Sequence, residues 1–246
     1  MDYETGFEEL KVVTSLGNIY LKHHKGSKQK LLFLHGFGIS STAWRRLVAL
    51  LPEDLDVYLM DLLGHGKSDA PDIIYGIDKQ VVALKDVVQK LGLEDSYIVG
   101  HSYGGWAVLL YVITGGKAQG IVLEDAAGVK DGIDKIRDFV GKEVFNERML
   151  KSAMRYTGNK EFVMKSILSM EFQNPNFDAT ALSKIALQTL IIWGSEDKLI
   201  DTTNAQILRD NINGSMLDMV EGAGHEPHYT NPENVKNALL RFIGYI

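Results

Sequence analysis

Cysteine is absent from all 246 residues. Its absence removes disulfides, thiolate zinc sites and a cysteine nucleophile together, and it suits a reducing compartment. Long apolar runs are missing as well, since no segment approaches the roughly 20 residues that a transmembrane helix needs. Nor is there an excess of basic residues. The formal net charge is −6, so no cationic stripe is available to neutralise phosphates. An acidic chain also gains little from an anionic membrane surface. The opening MDYETGFEEL lacks the basic start and apolar core of a secretory signal. The expectation is a cytoplasmic protein whose partners include neither nucleic acid nor membrane.

What is present is ordinary for a globular chain. Hydrophobic residues make up 45% and charged residues 24%, enough for one large domain that needs no covalent staples. Repeats and low-complexity tracts are absent. Short apolar runs alternate with longer amphipathic stretches, the pattern of βαβ units around a mostly parallel sheet. Strands are expected at 7–15, 18–24, 31–35, 57–60, 97–99, 121–124 and 190–193. Helices are expected at 41–51, 78–91, 103–113, 203–208 and 233–242, the second marked by the stripe Val81, Leu84, Val88 and Leu91 and a stop at Gly92. From 126 to 187 the strand signal disappears. This charged, amphipathic stretch holds Met149, Met154, Met164 and Met170. It is read as an all-helical insertion between two sheet strands, either a surface layer or a lid over a pocket.

Gly100-His101-Ser102-Tyr103-Gly104 has the G-x-S-x-G spacing, with a strand-like segment before it and the helix-like YGGWAVLLYVI after it. A serine hydroxyl is a poor nucleophile unless it is exposed and beside a base. A sharp strand-to-helix turn exposes it, and glycine-sized neighbours let the helix pack closely. Acyl transfer also needs two N–H donors for the developing oxyanion. The amide of Tyr103 is one candidate. The amide of Phe37, in the His35-Gly36-Phe37-Gly38 turn after an apolar strand, is the other.

The chain has 7 histidines. His225 lies in the glycine-bracketed EGAGHEPH loop, after a strand and before the last helix, where a base can reach the serine. Asp197, in WGSEDKLI, is the first choice for a carboxylate that orients its imidazole. Glu196 and Asp125 stay open as alternatives.

In that order, HGFG, DLLGHGKSD, GHSYGG, WGSEDKLI and GAGHEPH together resemble the α/β-hydrolase superfamily, from about residue 31 onward. The resemblance implies a single α/β-hydrolase domain, 1–246, with a mostly parallel central sheet flanked by helices. It places 126–187 where this family inserts a helical cap. It also implies Ser102 as nucleophile, His225 as general base, Asp197 as orienting acid and the Phe37 and Tyr103 amides as oxyanion hole, with no metal or organic cofactor. Serine at the nucleophile separates the chain from haloalkane dehalogenases and epoxide hydrolases, which place aspartate there. The small cap separates it from large lipases with long lids. One departure stands out, because Thr230 occupies the position, five residues after the base, where many relatives carry glutamate.

The expected activity is hydrolysis of small-molecule carboxylic esters of small to medium acyl chain through an acyl-enzyme. Rival enzymes on the same scaffold are a carbon–carbon bond hydrolase, a lactonase, a perhydrolase and a proline-type aminopeptidase. For the last, Glu143, Glu147, Glu161 and Glu171 leave room. A slow-turnover ligand receptor is a rival of another class, and a homodimer is compatible with all of these.

Two patterns point elsewhere and fail. Gly66-Lys67-Ser68 imitates the end of a phosphate-binding loop, but Asp61 stands where its first glycine is required, and Asp69 where a dinucleotide fingerprint needs its third. DLLGHGKSD is therefore read as a tight structural loop near the site. His23 and His24, adjacent on a strand, face opposite ways and cannot share one metal ion; both are expected at the surface.

Overall fold

A computed structural model of the protein describes residues 1–129, 161–170 and 176–246. Strands β1 (Glu8–Thr14), β2 (Gly17–His24), β3 (Lys30–Leu34), β4 (Asp56–Met60), β5 (Tyr97–His101), β6 (Gly120–Glu124), β7 (Gln188–Gly194) and β8 (Met216–Val220) form one sheet in the order β1-β2-β4-β3-β5-β6-β7-β8. Strand β2 is antiparallel to both neighbours, and every pairing from β4 across to β8 is parallel. The described helices are α1 (Arg45–Val48), α2 (Ile77–Leu91), α3 (Tyr103–Ile113), α4 (Glu161–Met170), α5 (Ala179–Leu182), α6 (Thr203–Asn211), α7 (Pro227–Thr230) and α8 (Pro232–Phe242).

The central strands read as unbroken apolar runs because both faces of the sheet are covered. Alternation still sorts their side chains. Leu31, Phe33, Val57, Leu59, Val99 and Ile192 face one core with Trp44, Leu47 and Leu239. Leu32, Leu34, Met60, Ile98, Leu123 and Trp193 face the other with Leu84, Val88, Val108 and Leu208. Each fully buried aliphatic side chain contributes on the order of 1.5–3 kcal/mol. Helix α2 turns Val81, Leu84 and Val88 inward, carries Asp78 in its first turn and Lys90 in its last, and ends on Gly92 at φ 62. That left-handed terminus is where glycine carries no steric penalty.

The expected helix at 41–51 is divided into a 3-10 turn, Ser41–Trp44, and the short α1. Of the stretch 126–187, the described residues contain α4, α5 and a single bridge between Val129 and Phe177. Helix α4 buries Val163, Met164 and Ile167 in the larger core. Its Ser166 Oγ accepts the Tyr75 amide at 2.9 Å. Residues 130–160 and 171–175 of that stretch, including Glu143, Glu147, Met149, Met154 and Glu171, lie outside the described residues.

The two adjacent histidines are partly buried rather than fully at the surface, and each has its own partners. His23 Nε2 meets Asp56 Oδ1 at 2.8 Å and its ring stacks on Tyr58 at 4.1 Å. His24 bonds the carbonyls of Gly6 and Glu53 at 2.7 and 2.8 Å. The DLLGHGKSD segment is a tight loop built around Asp61, whose carboxylate accepts the amides of Ser41 at 2.7 Å and Lys67 at 2.8 Å. A Cβ on Gly66, at φ 52, would fall 2.0 Å from Asp61 Oδ2.

Candidate active site

Because β3, β5, β6, β7 and β8 run parallel, their carboxyl ends share one edge of the sheet, and ligands of open α/β sheets bind outside such ends. Each of these ends leads into a chemically equipped turn: His35 after β3, Ser102 after β5, Asp125 after β6, Asp197 after β7 and His225 after β8.

Ser102 sits between β5 and α3 at φ 51, ψ −115, a conformation that L residues rarely adopt. Its neighbours hold it there. Its amide donates to Glu124 O at 2.9 Å, and its carbonyl accepts the amides of Trp106 at 3.0 Å and Ala127 at 3.1 Å. The glycines are required by close approach. A Cβ on Gly100 would lie 2.7 Å from Gly104 O, and one on Gly104 would lie 2.5 Å from Leu34 O.

His225 Nε2 lies 3.0 Å from Ser102 Oγ, and His225 Nδ1 lies 2.7 Å from Asp197 Oδ2. A carboxylate only accepts, so Nδ1 carries the proton and Nε2 is left as the acceptor for the serine hydroxyl. The other Asp197 oxygen accepts the amides of Leu199 at 2.7 Å and Ile200 at 3.0 Å. Burial opposes the charge on Asp197. The His225 hydrogen bond and charge, with the Ile200 and Leu199 amides, outweigh it and hold the carboxyl below its usual range. Glu196, the neighbouring alternative, is exposed.

The turn bearing Phe37 abuts the serine turn. A Cβ on Gly36 would lie 2.8 Å from His101 Nδ1 and 3.3 Å from Ser102 Cβ. The rings of Phe37 and Tyr103 meet edge to face at 6.4 Å. Ser102, Asp197, His225, Phe37 and Tyr103, expected to work together, are thus gathered at one place on the sheet edge.

Other residues of the site carried weaker sequence signals or none. His101 Nε2 donates to His225 O at 2.8 Å. Burial, with His228 and His225 nearby, keeps that imidazole neutral by lowering its proton affinity. Glu124 Oε1 accepts the His228 amide at 2.7 Å and faces its Nδ1 at 3.1 Å. Asp125, fully buried, accepts the Gly194 amide at 3.0 Å. Asp125, Asp197 and His225 each offer an atom within 4.8 Å of the others. Two of the three are already joined by a hydrogen bond, an arrangement suited to moving a proton.

A sequence model of the Alpha/beta hydrolase family matches residues 31–238. The chain belongs to this family. It is 25% identical over 252 residues to 2-hydroxy-6-oxo-6-(2'-aminophenyl)hexa-2,4-dienoic acid hydrolase of Metapseudomonas resinovorans, covering 91% of this chain and 86% of that one. It is 23% identical over 256 residues to monoacylglycerol lipase abhd6-B of Xenopus laevis, covering 89% and 76%. A solved thermophilic esterase from Thermogutta terrifontis has the same fold, with TM-score 0.81 and 19% identity over 97% of this chain and 98% of that one. Among the described residues of this alpha/beta hydrolase, no helix is long and apolar enough to cross a membrane.

Proposed function

We propose that this alpha/beta hydrolase cleaves carboxylic esters of small to medium acyl chain through a covalent acyl-serine. Ser102 is the nucleophile, His225 the general base and Asp197 the carboxylate that orients it. The observation that supports this most directly is the continuous hydrogen-bond path Ser102 Oγ to His225 at 3.0 Å and His225 to Asp197 at 2.7 Å.

His225 Nε2 takes the hydroxyl proton as Ser102 Oγ attacks the ester carbonyl. The amides of Phe37 and Tyr103 receive the oxyanion, and one such donor is worth about 3 kcal/mol of barrier. The imidazolium returns its proton to the departing alcohol. A water deprotonated by the same nitrogen then attacks the acyl-serine and releases the acid. Asp197 holds the Nδ1–H tautomer throughout and stabilises the imidazolium. The stretch 126–187 is proposed to cover this edge as a cap and to select the acyl group.

The test is hydrolysis of p-nitrophenyl esters from acetate to long acyl chains by wild type and Ser102→Ala. Turnover that peaks at short to medium chains and falls by about 10,000-fold or more in the variant is the expected result. Undiminished turnover in the variant overturns the assignment. A folded protein inactive on every ester favours a second reading, carbon–carbon bond hydrolysis, which the likeness to the Metapseudomonas resinovorans dienoic acid hydrolase supports.

A further inference from the structure

Behind His225 stands more carboxyl than one base needs. Glu124, Asp125 and Asp197 are all buried, and among the described residues no lysine or arginine pairs with any of them. Glu124 is engaged by His228, and Asp197 by His225 and two amides. Glu124 Oε2 is buried without a partner too, but among the described residues Asp125, unlike Glu124, is faced by no ring nitrogen through a hydrogen bond, and it shares a cluster with Asp197 and His225. Its backbone is held at φ 43, and its amide donates to Ile192 O at 3.0 Å. Oδ1 accepts the Gly194 amide, while Oδ2 is buried without a hydrogen-bond partner. An ionised Asp125 would add an uncompensated buried charge beside two other carboxyls, which is strongly unfavourable. A proton on Oδ2 removes that charge and creates an O–H that needs an acceptor. The Asp197 carboxylate lies in the same cluster, within 4.8 Å, and its side chain interacts with that of Asp125.

We propose that Asp125 is a positioning residue for Asp197: it serves as a neutral carboxylic acid whose Oδ2–H is given to the Asp197 carboxylate, leaving a single negative charge to face His225. Burial, followed by the nearby Glu124 and Asp197 charges, drives the Asp125 carboxyl well above the usual carboxylate range. The groups facing it are Glu124 on its own strand end, Asp197 from the turn after β7 and His225 from the turn after β8. The consequence is functional. A second ionised carboxylate behind His225 would favour the imidazolium, the form that cannot take the serine proton.

The inference rests on the acyl-serine reading, and its test has arms that need no turnover. Asp125→Asn keeps a neutral donor, and asparagine tolerates the left-handed backbone. Its kcat should stay within about threefold of wild type, with the acid limb of the pH profile unmoved. Asp125→Ala should lose about tenfold or more in kcat at little cost in KM. Since native wild type keeps a proton that its unfolded chain releases, its unfolding constant relative to Asp125→Asn should grow about tenfold per pH unit above pH 4, until the buried carboxyl itself ionises. Should the variants fail to fold, carboxyl-13C aspartate NMR of the wild type should show one protonated resonance that does not titrate between pH 5 and 7. An acid limb lowered by half a unit in Asp125→Asn, an unfolding ratio flat with pH, an Ala variant as active as Asn, or the absence of that resonance each overturns the inference. Ester turnover lost only in Ser102→Ala would leave the acyl-serine reading standing beside such a failure.

Discussion

The main-chain N–H of His228 donates to Glu124 Oε1 at 2.7 Å, where both side chains are fully buried. One carboxylate at the end of β6 thereby holds the turn that carries His225, three residues upstream. His228 also packs on Trp44 at 4.4 Å and on His101 at 4.7 Å, so the turn is fixed from three sides.

Glu124→Ala strips a buried N–H and an imidazole of their acceptor, and such an orphaned group costs about 1–3 kcal/mol. The melting temperature should drop by several degrees, since about 1 kcal/mol corresponds to 2–4 °C at this chain length. With the turn that carries His225 loosened, kcat should fall about tenfold while KM holds within a factor of two. Glu124→Gln retains an acceptor oxygen and should recover most of both. Calorimetry and steady-state kinetics on the two variants decide it; a Gln variant as damaged as the Ala variant would show that charge, not the tether, matters.

Backbone strain at Ser102 offers a second prediction. Residues held in sparsely populated conformations store about 1–3 kcal/mol, and at φ 51, ψ −115 only glycine escapes the cost. Ser102→Gly and Ser102→Ala both lose the hydroxyl and its bond to His225, but alanine keeps the strained Cβ. The glycine variant should therefore melt about 2–4 °C above the alanine variant while both are inactive. Equal melting temperatures would mean that the turn is not strained.

Acid should destabilise the fold through its buried imidazoles. His35 is pushed down to about 4 by burial, its Nε2 already accepting the Leu62 amide at 3.0 Å. His65 is pushed down to about 3 by burial and by His35 beside it, and His101 is lowered as well. Unfolded histidine takes its proton near pH 6.5. Between pH 6.5 and about 4 the unfolded chain therefore binds protons that the native chain refuses, and stability falls as pH falls. Each group adds about 1.4 kcal/mol per pH unit in that window. Asp125 acts with the opposite sign. The denaturant midpoint should be lower at pH 5 than at pH 7, because the three histidines outweigh the one carboxyl, and coincident midpoints would contradict the burial of these rings as neutral species.

Much of this was legible along the chain. Helix α3 spans 103–113 as expected, because its apolar residues and the glycines before it are a local pattern. Strand β8 was implied before the His225 loop but not delimited. Its burial is uneven, with Met216 and Met219 exposed, because it is the edge strand and pairs only with β7. Asp218 also interrupts its short run of Met216, Leu217, Met219 and Val220, which leaves no unbroken apolar pattern to read.

The sequence by itself determined the alternation of strands and helices, the serine on its glycine-flanked turn and the histidine loop ahead of the last helix. Each depends on neighbours in the chain, through period, turn sterics and order. It left three carboxyls, Asp125, Glu196 and Asp197, as candidates to stand behind His225. Only the tertiary structure separated them, setting Asp197 at 2.7 Å from Nδ1, Glu196 out in solvent and Asp125 buried in the same cluster. The reason is geometric. Hydrogen bonding is a matter of a few tenths of an ångström between turns that β6, β7 and β8 deliver from distant parts of the chain, and no local pattern encodes that distance.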